Sequence, residues 1–158
     1  MPRKKTSKPV QEYSSYPIKI INWTPNYSIS LDTKRRFSIG PYSEHNSLKI
    51  DGQLLGPKKL AGREIDVYIF ANRQITMAMT IDDVYEKDPI AVGGLTSRGS
   101  NCEYYGSIPS DVFPSVLAML AAGKYNYILL HGHVMKYGSA SIEYMSFAEE
   151  FDPDEWCE

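Results

Sequence analysis

The sequence predicts a mainly β protein, an antiparallel β-sandwich or barrel-like fold with one short helix near residues 110-122. Three observations carry this. Apolar and polar residues alternate with period two in short stretches along the chain, turn residues punctuate those stretches closely, and the period changes to that of a helix only once. An α+β fold with the helix across one sheet is the alternative.

Taken in order, Pro17 to Trp23 alternates well enough for one strand, and Pro25-Asn26 stops it. Tyr27, Ile29 and Leu31 then share a face, a second strand with a clean period of two. Gly40-Pro41 marks a turn, and Leu48 to Leu54 alternates again before Gly56-Pro57. Asp51-Gly52 reads either as a tight hairpin turn or as part of one bulged strand. Glu64 to Ala71 sets Ile65, Val67 and Ile69 against Asp66, Tyr68 and Phe70. Gln74 to Thr80 is a weaker strand, followed by an acidic loop of Asp82, Asp83, Glu86 and Asp88. Ile90 to Leu95 and Cys102 to Ile108 are further strands.

Val112, Val116, Met119 and Leu120 fall at i, i+4, i+7 and i+8, one face of an amphipathic helix. Ser110 is its expected N-cap, Asp111 suits the positive helix start, and Gly123 suits the position just past the end. Pro114 is tolerated only in a first turn, which leaves the start open by a few residues. Alternation then returns from Tyr125 to Val134, turns at Lys136-Tyr137-Gly138, and continues from Ser139 to Phe147 with Ala140, Ile142 and Tyr144 on one face. These last two segments are expected to form an antiparallel hairpin. The expected total is eight or nine short strands and one helix.

At 158 residues the chain is the size of one domain. Residues 1-16 read as a flexible basic tail, 17-148 as a single β-rich domain, and 149-158 as an acidic tail that leaves the folded body near Phe151-Asp152-Pro153, the alternative being that Phe151 and Trp156 tack it back down. No apolar run approaches the ~18–20 residues of a membrane helix. No apolar export segment follows the basic start, and two cysteines are too few for a disulfide scaffold. Both points lead us to expect a cytoplasmic protein with free thiols, and the sequons at Asn22 and Asn26 are read as chance matches.

Charge is unevenly spread. Residues 1–63 carry 12 basic and 4 acidic side chains, whereas residues 64–158 carry 5 basic and 15 acidic, which together give the net −2. Arg3, Lys4, Lys5 and Lys8 in the tail and Lys34, Arg35 and Arg36 farther on are candidate contacts for nucleic acid or an acidic partner, with tyrosines available for stacking. The plainer reading is a solubilising tail and a charged strand edge that blocks pairing.

His131-Gly132-His133 is the sharpest local feature. Residues i and i+2 of a strand share a face, so both imidazoles are candidate ligands for a divalent transition metal, with His45, Glu44 or Glu143 as the third donor. The alternative is two histidines lining a half-exposed face. Cys102 with His131 or His133 is a weaker nucleophile–base candidate, because no helix N-terminus or basic cluster adjoins it in sequence. The acidic loop lacks calcium-loop spacing, and Gly93, Gly94 and Gly99 match no phosphate-binding fingerprint and read as turn or bulge glycines.

No catalytic signature stands out. The leading expectation is a small non-enzymatic binding or protein–protein interaction module that associates with another protein or with itself and not with a membrane. A metal-binding or metal-dependent function through His131 and His133 comes second, and nucleic-acid binding through the basic tail third.

Overall fold

A computed structural model describes residues 10–31, 42–73, 75 and 91–157. Among them seven strands follow one another: β1 (Tyr13–Leu31), β2 (Tyr42–Leu54), β3 (Glu64–Asn72), β4 (Gly93–Arg98), β5 (Asn101–Pro109), β6 (Tyr127–His133) and β7 (Ser139–Ala148). Helix α1 (Phe113–Ala121) separates β5 from β6, and a single turn, α2 (Pro153–Trp156), follows β7. The strands close into a barrel in the order β1-β2-β3-β5-β4-β7-β6, with β6 pairing back onto β1. The fold is mainly β and barrel-like. One pairing departs from the antiparallel expectation, because β3 and β5 run parallel. Parallel neighbours need a long crossover, and the chain between Asn72 and Asn101, which contains β4, supplies it.

One face of each strand lines the interior. Ile18, Leu48, Ile50, Val67, Ile69, Leu95, Tyr104, Ile128, Leu130 and Ile142 have no exposed surface, and each such side chain contributes on the order of 1.5–3 kcal/mol by leaving water. Helix α1 adds Phe113, Val116 and Leu120 to the same cluster. It begins later than the sequence suggests. Val112, not Ser110, is the residue before the first turn, and no side chain caps it. This start places Pro114 in the first turn, where its missing N–H costs nothing. The end is as expected: Gly123 takes φ +70°, its N–H bonds the Leu120 carbonyl at 3.0 Å, and Lys124 N–H bonds that of Met119 at 2.9 Å.

Tyr104 explains two of the glycines. Gly93 and Gly106 are cross-strand partners, and a Cβ on either would fall within 2.5 Å of the Tyr104 hydroxyl. Gly93 is therefore a strand glycine that makes room for a ring, not the turn or bulge residue expected.

Two bulges decide which residues face inward. The β1–β2 register shifts between Ile20 and Asn22. Tyr16 and Ile18 point inward before the shift, and Trp23, opposite the buried Ile50, does so after it. The hairpin of β6 and β7, joined by Tyr137 and Gly138 at φ +53° and +75°, shifts between His131 and Gly132. Ala140 and Ile142 face inward before that point, but Met145 and Phe147 pack on the core after it and Tyr144 turns outward. The expected grouping of Tyr144 with Ala140 and Ile142 is thus broken by one extra residue.

Element boundaries also differ from expectation. β1 begins at Tyr13, inside the stretch assigned to the tail, because Tyr16 is buried opposite Leu130. It runs through Pro25 without stopping, which a strand tolerates where its N–H needs no partner. Gly52 lies within β2 and not in a turn. The Gly40-Pro41 turn and the acidic loop lie outside the described residues, as does the expected Gln74–Thr80 strand except for Ile75, which is helical and not extended. No helix among the described residues is long and apolar enough to cross a membrane.

Candidate binding surface

The His-x-His face is built as the alternation predicts. His131 and His133 sit on the outer side of β6, between β1 and β7, with Gly132 inward against the Ser141 carbonyl. Ser15 Oγ lies 3.0 Å from His131 Nδ1, and Glu143 Oε1 lies 3.0 Å from His133 Nε2. The Tyr13 ring stacks on His131 at 5.7 Å and meets His133 edge-on at 5.3 Å. Each imidazole thus has its own oxygen partner, and an aromatic ring contacts both. Of the expected third donors only Glu143 comes near, aimed there by the β7 bulge. Glu44 bonds Arg73 at 2.8 Å, and His45 lies 3.2 Å from Ser43 Oγ, more than a dozen residues farther along β1 than Ser15. Among the described residues no three His, Cys, Asp or Glu side chains cluster to hold a metal ion.

Cys102 does not meet either histidine. It is buried on the inner face of β5, 3.5 Å from Ser97 Oγ, while the histidines face outward on β6. Cys157 is exposed and directs its thiol at the Leu55 carbonyl, 3.6 Å away; partial burial raises its pKa. Both cysteines are free.

The acidic C-terminal stretch lies on the barrel. Phe151 stacks on Tyr127 at 5.4 Å and Trp156 on Tyr144 at 6.3 Å. Between them is an open depression of about 460 Å³ over Leu129, rimmed by Glu150, Asp152 and Glu155. On the β3–β5 side Tyr68 and Tyr105 stack on each other at 4.9 Å, and Asp51 and Asp66 flank Lys49, raising its pKa through hydrogen bonds. Lys49–Asp66 and Arg73–Glu44 join the basic and acidic halves of the sequence, so the described charges are interleaved in space. Arg3, Lys4, Lys5, Lys8, Lys34, Arg35 and Arg36 lie outside the described residues.

The most distinctive surface is one that period-two alternation alone presents as an ordinary strand face. Past the barrel, among the described residues, β1 from Asn26 to Leu31 pairs only with β2 from Tyr42 to Ser47, an arm that is two-stranded beyond the Ser47–Phe70 pair with β3. The bulge at Ile21 has already reversed the parity of β1. The inward row that begins with Trp23 and Pro25 therefore continues on the arm as Tyr27, Ile29 and Leu31, opposite Asn46, Glu44 and Tyr42. These apolar side chains are 61, 60 and 56% exposed, and Tyr42 is 69% exposed. The other side of the arm carries Asn26, Ser28, Ser30, Ser43, His45 and Ser47 and no large apolar residue. Glu44 is the charged residue on the apolar side, and Arg73 neutralises it. Alternation at residues 27–31 was a legible signal for this face; the bulge that joins it to the barrel interior was not.

Compared with family models, curated proteins and solved structures, the chain matches none.

Proposed function

We propose that this protein is a small non-enzymatic interaction module whose docking element is the β1–β2 arm. One observation carries the reading: the row of side chains that fills the barrel continues outward as Tyr27, Ile29, Leu31 and Tyr42 on a surface more than half exposed. Contiguous exposed apolar residues in one patch mark contact sites far more often than scattered ones. A two-stranded ribbon is marginal alone, and anchoring this one in a closed barrel holds it ready without an ordering cost at the moment of binding. A cytoplasmic setting fits the two free cysteines.

The test places a photoreactive benzoylphenylalanine at Ile29 and, separately, at the exposed Lys59 in the turn after β2. Covalent adducts are expected from position 29 and are lost when the same chain also carries Leu31→Glu. Equal adducts at both positions, or adducts indifferent to Leu31→Glu, would refute the assignment.

A further inference from the structure

We infer that the partner of the arm is a second copy of this chain, packed apolar face against apolar face about a two-fold axis; the inference rests on the arm being the docking element. Charge gives the first reason. A foreign partner selected by electrostatics needs unpaired charge on the surface that receives it. The apolar face of the arm has none among the described residues, since Arg73 Nη2 holds Glu44 Oε2 at 2.8 Å. Among the described residues the paired Glu44 and Arg73 thus set no unpaired like charges against each other in a two-fold contact, where each residue near the axis meets its own copy.

Area gives the second reason. Tyr27, Ile29, Leu31 and Tyr42 are 56–69% exposed, which at roughly 150–250 Å² for a large side chain amounts to about 500 Å² per copy. Complete burial of the four in both copies covers about 1,000 Å², the lower bound for a biological interface and the size of a weak, reversible dimer. A pair of two-stranded ribbons packed face to face meets as the two layers of a sandwich do, at about 10 Å, with side chains of alternate residues interdigitating. The composition of the arm suits that geometry: its apolar side chains lie on one side and Ser, Asn and His on the other. In such a pair the polar side stays in water, and among the described residues no carboxylate or ammonium lacking a partner is buried.

Sedimentation velocity on the full chain, from 1 to 100 µM, tests this together with hydroxyl-radical footprinting of Tyr27, Ile29, Leu31 and Tyr42. A concentration-dependent dimer is expected. Ile29→Glu should weaken it at least 100-fold with an unchanged circular dichroism spectrum, and the four residues should lose reactivity as the wild type dimerises. A dimer indifferent to Ile29→Glu overturns the inference. A monomer at 100 µM whose four residues react freely also overturns it, while leaving the arm as a docking element for another protein. A monomer with all four residues protected refutes both readings, since the chain then covers the face itself.

Discussion

Tyr104 sets the tightest constraint on single residues. Its ring is fully buried in the barrel, and its hydroxyl donates to a sulfur, Met145 Sδ at 3.6 Å. Gly93→Ala or Gly106→Ala would drive a methyl into that ring, and overpacking of this kind costs about 1–3 kcal/mol; denaturant unfolding should show a loss in that range for each. Burial also raises the pKa of the Tyr104 hydroxyl well above its ordinary 10.0. Above pH 10 the folded chain then holds a proton that the unfolded chain has released. Stability therefore falls as pH rises, by about 1.4 kcal/mol per unit for this group. Tyr104→Phe should make the decline between pH 10 and 12 shallower by that amount, measured on both proteins with the same denaturant. Tyr16, raised by burial in the same way, keeps a residual slope in the variant. The histidine face shows what residue patterns reveal at this scale. Period two is enough to put His131 and His133 on one side. Tyr13 and Ser15, which bond and stack with them, sit in a polar stretch whose strand character comes only from pairing with β6.

Among the elements, the ones read correctly are those fixed by local chemistry. The Tyr137–Gly138 turn, the Gly123 helix end and the inward row of β3 follow from turn residues, positive φ and alternation. Gly123→Ala should cost about 1–2 kcal/mol, the penalty for holding a Cβ in the left-handed region, and thermal unfolding would register it as a lower midpoint. Bulges, by contrast, leave little trace in composition. One extra residue at Ile21 and one at Glu143 reverse the facing of everything beyond them, which is why Tyr144 was grouped with the core and the arm with an ordinary strand. The C-terminal turn was hidden for a different reason: six carboxylates read as a solvated end, and two aromatic stacks outweigh them. Trp156→Ala should uncover Leu129, now 7% exposed, and cost about 1–2 kcal/mol, part of the 3–5 kcal/mol for a fully buried aromatic ring. Limited proteolysis within 149–157 should then accelerate; an unchanged cleavage rate would mean that the stack holds nothing in place.

At the scale of the whole molecule, the barrel and the arm divide the labour. The barrel buries its inward rows and accounts for the stability. The arm carries the same row into water, where it contributes little to folding and offers the face proposed above for docking. Barrel topology was only partly legible, because alternation reports which residues face inward and not which strands are neighbours; the parallel β3–β5 pair is the clearest example. The division between core and surface makes a sharp demand of Ile29. Ile29→Thr keeps a β-branched residue in the strand and removes most of its apolar surface. The deciding measurement is the unfolding free energy of this variant against wild type by urea, at a protein concentration low enough to keep association from adding to stability. A difference below about 1 kcal/mol is what an exposed face predicts. A loss of about 2 kcal/mol or more, the size expected when a buried apolar side chain is replaced, would place Ile29 in a core and contradict the account.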